Sequence, residues 1–327
     1  DEATAKVMNE LFVNIKVDRE ERPDVDKIYQ TAQQLLTQRT GGWPLTMFIN
    51  PDDRRPIFGG TYIPNEARYG MPAFSELLKS VDTYFGDQRE EVRRQGAKLT
   101  EVLGRLEPPA VSEDVAITAD PLDKLRESLG RTFDQDYGGF GSAPKFPHPT
   151  TVDRLLRQWR TTASGDNPDI DALYMATLTL TRMADGGLFD HVGGGFCRYS
   201  VDQYWQIPHF EKMLYDNGPL LALYAQAFLA TGDDYFAAVA DATADWMLAD
   251  MQSPQGGFYA TRDADSEGEE GLYYLWTPGE VRELLEEADY AVFASRFGLD
   301  EPANFEGRWH LTVRRPVEEV AADAGLT

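Results

Sequence analysis

Over the first hundred residues the apolar positions change period several times. Ala3, Val7, Met8 and Leu11 recur at helical spacing, and Phe12 to Val17 then reads as a β-strand. Val25, Ile28, Tyr29, Ala32, Leu35 and Leu36 mark a second helix. Leu45 to Ile49 is rich in β-formers, Asn50-Pro51-Asp52-Asp53 supplies turn chemistry, and Ile57 to Tyr62 predicts the return strand of a hairpin. Phe74, Leu77, Leu78, Val81, Tyr84 and Phe85 lie on one face of an amphipathic helix, which a charged helical tail extends to about Leu106. The predicted order is αβαββα.

Pro108 and Pro109 then open a polar stretch without sustained periodicity, and such segments commonly join domains. The reading is a first domain over 1–107, a linker over 108–120 and a second domain over 121–327. Beyond the linker strand signals become rare, and Leu122, Leu125, Leu129 and Phe133 already form a helical face. Gly138-Gly139-Phe140, Gly194-Gly195-Phe196 and Gly256-Gly257-Phe258 recur, with two helices expected in each interval. One helical hairpin per repeat predicts a ring or solenoid of hairpins, because a single such unit cannot bury its own face. The second domain has room for three or four hairpins, too few for a closed six-hairpin ring.

Charge narrows the partners. With 31 Lys and Arg against 55 Asp and Glu, the 327-residue chain carries a formal charge of −24, which repels phosphate backbones and anionic lipid surfaces. Nucleic-acid and membrane partners are therefore excluded, and no apolar run reaches the roughly 18 residues of a membrane span. Cys197 is the single cysteine, so no internal disulfide or dithiol pair forms within these residues. A chain beginning at Asp1, at the edge of a helix and without a signal-like start, reads as part of a longer cytoplasmic protein.

His209, Glu211 and Asp216 lie within eight residues, beside Trp205 and Tyr215. An imidazole next to carboxylates is equipment for general acid–base chemistry near pH 7, and aromatics beside carboxylates suit a sugar. The same residues also suit a structural role at a helix start. Asp263, Asp265 and Glu267 imitate the opening of a calcium loop, but Tyr274 stands where the bidentate Glu belongs, so no metal is expected. The Asp pair suits sugar hydroxyls or a shared proton instead. His191 and Lys145, in glycine- and proline-rich loops, have the reach to join the cleft. Its mouth is expected to gather the Gly-Gly-Phe loops, whose glycines would let backbone approach a ligand closely.

Three strings in the first region, Val17-Asp18-Arg19-Glu20-Glu21-Arg22-Pro23-Asp24-Val25-Asp26, Gly41-Gly42-Trp43-Pro44-Leu45-Thr46 and Phe58-Gly59-Gly60-Thr61-Tyr62-Ile63-Pro64, closely resemble the family of spermatogenesis-associated thioredoxin-like proteins. In the second region the resemblance rests on Ala143-Pro144-Lys145-Phe146-Pro147, on the segment from Pro208 to Asn217 and on the acidic string from Asp263 to Gly271. It implies a multidomain α/β plus all-α protein: a thioredoxin-like domain lacking its first strand, then an incomplete (α/α)-toroid related to six-hairpin glycosidases and N-acylglucosamine 2-epimerases. It further implies a cis-proline at Pro44 and a carbohydrate as the small-molecule substrate, with no cofactor. Catalysis would fall to His209, Glu211, Asp216, Asp263 and Asp265, and substrate binding to His191, Arg198, Tyr199, Trp205 and Lys145. Isomerisation, epimerisation and hydrolysis all stay open. So does a redox or chaperone protein whose toroid only binds partners. Relatives usually carry a Cys-x-x-Cys segment upstream of the position of residue 1, and commonly a histidine where Cys197 stands.

Overall fold

The structure, a computed structural model, describes residues 1–68, 70–106 and 116–325. It divides into two compact units, Asp1–Ala116 and Ile117–Thr327. Pro108, Pro109 and most of the expected linker lie outside the described residues.

In the first unit α1 (Glu2–Leu11) starts where the Asp1 carboxylate accepts a hydrogen bond from the Ala3 N–H. Helix α2 (Pro23–Thr37) begins on a proline, whose missing N–H costs nothing in a first turn. β1 (Thr46–Ile49) and β2 (Pro56–Gly60) form the expected antiparallel hairpin, with Thr46 opposite Gly60 and an irregularity between Phe48 and Ile49. The Trp43–Pro44 peptide bond ahead of β1 is cis. Helix α3 (Phe74–Asp87) stops at Gln88, so the charged tail is a separate helix, α4 (Arg89–Leu106). Phe48, Leu78 and Val81 make the core, against which Val7, Met8, Phe12 and Ile57 pack.

The expected strand from Phe12 to Val17 is not one. Phe12 is extended and its ring lies 5.4 Å from that of Phe48, but no hydrogen-bonded partner lies alongside among the described residues. Val13 and Ile15 are left 91% and 79% exposed. Alternation favours extended backbone, whereas a strand exists only through the ladder it shares with a neighbour.

The second unit is mostly helical. Its α-helices are α5 (Asp120–Thr132), α6 (Pro149–Thr162), α7 (Ile170–Asp185), α8 (Leu214–Thr231), α9 (Asp234–Trp246), α10 (Pro278–Leu284), α11 (Glu287–Phe297) and α12 (Val317–Asp323). Helices α6 and α7 pack as one hairpin and α8 and α9 as the next, with α6 also against α8. One core, including Leu155, Leu180, Leu188, Leu220 and Tyr224, runs through both. The eight helices among the described residues do not close a twelve-helix ring. Small ribbons connect them: β3 (Tyr199–Ser200) with β4 (Pro208–His209), β5 (Lys212–Met213) with β6 (Thr261–Arg262), β7 (Asp265–Ser266) with β8 (Glu269–Glu270), and β9 (Leu275–Trp276) with β10 (Trp309–His310).

The repeat is visible in three dimensions. Each Gly-Gly-Phe loop is closed by a backbone bridge, Phe133 to Phe140, Phe189 to Phe196 and Gln252 to Phe258. The first two loops share a clasp. One oxygen of Asp134 accepts from the N–H groups of Asp136 and Tyr137, and one oxygen of Asp190 from those of Val192 and Gly193. The other oxygen takes a buried lysine, Lys145 Nζ on Asp134 at 2.6 Å and Lys212 Nζ on Asp190 at 2.8 Å. In these two loops the glycines do not open toward a ligand, contrary to expectation, whereas Gly256 of the third faces open space. Gly139 and Gly195 adopt φ of 76° and 77°, and a Cβ there would strike the rings of Trp205 and Trp246. Their freedom serves the packing of loop on tryptophan.

Candidate functional site

A three-stranded patch of sheet positions the site. Lys145 exchanges backbone hydrogen bonds with Ser200 at 2.8 and 2.9 Å, and across β3 and β4 Tyr199 pairs with His209 and Ser200 with Pro208. Because side chains alternate along strands, Lys145, Ser200 and Pro208 point inward and are buried. Phe146, Tyr199 and His209 share the opposite face in one row, with the Tyr199 ring stacked 5.2 Å from His209. Glu211, two residues after His209, comes to the same neighbourhood.

His209 Nδ1 donates to Glu270 Oε1 at 2.6 Å, which orients the ring with Nε2 toward Glu211. Glu211 Oε2 lies 3.6 Å from Nε2 and 3.5 Å from Arg198 Nη1, and its Oε1 accepts the Thr261 hydroxyl at 3.1 Å. Glu270 comes from the β7–β8 ribbon, where Asp265 is its cross-strand partner, so Asp265 borders the site. Asp216 stands in the first turn of α8, 9% exposed, and its buried Oδ2 has no hydrogen-bond partner. Burial pushes its carboxyl up to about 6, with Arg198 opposing and the Glu211 charge adding to the rise. The neighbourhood therefore combines an oriented imidazole with a buried carboxyl that, electrostatically coupled to Arg198 and Glu211, keeps its proton up to about pH 6.

This carboxyl makes stability depend on pH. A group whose folded pKa is raised contributes stability below the ordinary carboxylate range and loses it as pH climbs through about 6. Asp216→Asn keeps the shape without the buried charge. The variant is expected to gain about 2–3 kcal/mol over the parent at pH 7.5 and to match it near pH 4, as read by urea unfolding at both pH values. A gain of equal size at both would mean that Asp216 titrates normally.

Three expected residues have other places. Lys145 is fully buried, with its ammonium on Asp134 and the Gln203 carbonyl, so it holds a loop and not a substrate. Trp205 is also fully buried, donating Nε1–H to the Tyr137 carbonyl beneath the Lys145 cation. His191 donates Nε2–H to the Gly186 carbonyl and packs on Phe189 and Phe297. Burial pulls its pKa down to about 4, and it lines a cavity of about 240 Å³ with Tyr274 and His310 rather than the His209 cluster. Asp263 accepts from the Asp265 N–H within its own turn. Cys197 is buried, and that burial pushes its thiol up to about 12, which removes it as a nucleophile. Glu270 and Thr261 were not singled out from sequence. The only signal for Glu270 was its membership of the acidic string, 61 residues from His209.

The molecule is thus a thioredoxin-like domain joined to a helical-hairpin domain that bears a histidine–carboxylate cluster. Residues 1–104 match the Thioredox_DsbH family, described as "Protein of unknown function, DUF255". Spermatogenesis-associated protein 20 of Homo sapiens is 36% identical to it over 99% of this chain and 44% of its own length, and the Rattus norvegicus protein 37% over the same shares. An uncharacterized Caenorhabditis elegans protein, B0495.5, is 38% identical over 93% of this chain and 43% of its own. The resemblance to the spermatogenesis-associated proteins therefore extends along nearly the whole chain, which spans less than half the length of these relatives. Among solved structures, a cellobiose 2-epimerase from Bacillus thermoamylovorans has a TM-score of 0.36 at 14% identity, covering 46% of this chain and 44% of its own. A D-mannose isomerase has 0.32 at 12%, covering 58% and 45%. Likeness of that degree carries no argument about activity.

Proposed function

We propose that the second unit is the acid–base part of a carbohydrate isomerase or epimerase, with the thioredoxin-like unit as an attached domain. The observation that carries this reading is His209, held by Glu270 through Nδ1 with Nε2 3.6 Å from Glu211, in the segment that leads into α8 and its buried Asp216. In an open-chain sugar, Nε2 takes the proton from the carbon next to the carbonyl while Asp216 gives its proton to the carbonyl oxygen. The product is an enediol, and protonation at either carbon or either face completes isomerisation or epimerisation. Arg198 and Glu211 offer a donor and an acceptor for hydroxyl groups, and Tyr199 supplies a ring edge. The acidic, single-cysteine composition supports a cytoplasmic enzyme without nucleic-acid partners, and none of the helices among the described residues is long and apolar enough to cross a membrane.

The test is solvent exchange. The protein is incubated in D2O with a panel of aldoses and ketoses, and deuterium at the carbon next to the carbonyl is followed by NMR. Exchange with at least one sugar, accompanied by its isomer or epimer, is the expected result. Absence of exchange across the panel overturns the reading.

A further inference from the structure

His191 and His310 meet in the cavity of about 240 Å³, which the acid–base reading does not use. The main chain fixes the tautomer of both rings. His191 donates Nε2–H to the Gly186 carbonyl at 2.9 Å, and His310 donates Nε2–H to the adjacent Gly187 carbonyl at 2.6 Å. Burial lowers the pKa of each, so both rings are neutral near pH 7 and each Nδ1 carries a bare lone pair. His310 is 4% exposed and its buried Nδ1 has no hydrogen-bond partner. The Tyr274 carbonyl near that ring is itself an acceptor. The Nδ1 of His191 has no partner among the described residues either. Native interiors leave few polar atoms unsatisfied, so two such acceptors in one cavity call for a donor.

The walls define what carries that donor. Tyr273, Tyr274 and Trp276 bring three aromatic rings to the cavity, with Tyr273 standing across Tyr274 at 85° and 5.2 Å. Phe210 covers one face of Tyr274, stacked at 11°. Aromatic rings pack edge to face or offset, so a flat ring fits such walls, whereas a pyranose would give up the water on most of its hydroxyls for two acceptors. Charge is disfavoured in both signs. Asp190 and the net charge of −24 oppose an anion, and the Lys212 ammonium, about 4.9 Å from the Tyr274 centroid, opposes a cation. A dry cavity of about 150 Å³ takes up benzene, so this one has room for a bicyclic ring.

We propose that this cavity binds an uncharged bicyclic aromatic molecule with a ring N–H donor, of the indole type, which enters past Val192 and Tyr273 and hydrogen-bonds to His191. Val192 and Tyr273 line the cavity and are 61% and 78% exposed, which places them at its mouth. The site is separate from the His209 cluster and does not depend on the chemistry proposed there.

The experiment titrates the whole chain with indole and with benzothiophene, which has nearly the same shape and no N–H. Binding is read by saturation-transfer NMR and by the imidazole resonances of the four histidines. The expected result is indole binding about tenfold tighter than benzothiophene, the ratio that a hydrogen bond to an otherwise unsatisfied acceptor supplies. The His191 signals should move on binding while those of His148 stay in place. In His191→Phe, which keeps a ring packed on Phe189 and Phe297, the ratio should fall to about one. Val192→Trp, a change at an exposed position, should block both ligands and leave the urea midpoint where it was. Saturation of neither ligand in the parent overturns the proposal. Equal affinities for the two ligands overturn it as well, and so does indole binding that survives Val192→Trp. The comparison of the two ligands on the parent decides the question even if His191→Phe fails to fold.

Discussion

His209→Ala is expected to lower kcat/KM for sugar deuterium exchange by about 10²–10⁴-fold, the range lost when a positioned acid–base group is removed. Folding should be nearly unaffected. The ring is partly exposed, its hydrogen bond to Glu270 lies at the surface, and the neighbouring core residue Phe210 stays in place. Glu270→Gln provides the complementary case. Its amide carbonyl still accepts from Nδ1, so orientation survives while the charge beside the ring is lost, and a smaller drop is expected. Rates are measured at matched pH alongside urea midpoints. Unchanged exchange in His209→Ala would make the histidine a structural residue.

Lys212→Ala should have the largest effect on stability. Lys212 is 1% exposed, its ammonium donates to Asp190 and to the Gly194 carbonyl, and it lies about 4.9 Å from the ring centroids of Trp246 and Tyr274. Burial by itself pushes the Asp190 carboxyl up, but Lys212 and the N–H groups of Gly193 and Val192 hold it below its ordinary value. Removing the lysine leaves a buried carboxylate with half its partners and a cavity where the alkyl stem lay. Breaking one side of a buried pair costs about 3–5 kcal/mol, a large part of the stability of an ordinary domain. Lys212→Met with Asp190→Asn keeps the stem volume and removes both charges, so it is expected to recover most of that loss. Urea unfolding of the parent and the two variants decides it. A Lys212→Ala loss below about 1 kcal/mol would mean that water reaches the pair.

How much of this was legible in the sequence depended on distance along the chain. Helical periodicity located α2 and α3, and the turn residues Asn50 to Asp53 located the β1–β2 hairpin, because each signal is local. Phe12 to Val17 misled because its pattern reports backbone preference and not the presence of a neighbour. His209 and Glu211 were readable as a pair since alternate residues of an extended segment share a face. Asp216 was near enough to be noticed, although nothing local shows that α8 buries it. Glu270 was out of reach of such arguments, since only the return of the acidic ribbon brings it to His209. Lys145 and Trp205 were misread for a different reason. A lysine in a proline-rich loop looks solvent-facing until the aspartate 11 residues upstream is seen to claim it.

The duplicated clasp also constrains how such a protein can be recombined. Each loop depends on a cation supplied further along the chain, Asp134 on Lys145 and Asp190 on Lys212. A crossover between Phe140 and Lys145, or between Phe196 and Lys212, would therefore risk joining a loop to a downstream segment with no lysine at the matching height. The inheritable cassette is the loop together with its distant lysine, and each lies between helical hairpins and not within one, the first between α5 and α6 and the second between α7 and α8. Joins placed inside α6–α7 or α8–α9, at the exposed turns between their helices, leave both cassettes whole. Grafting of hairpins between relatives should succeed at those turns and fail at the glycine loops, however well matched in length the loops are made.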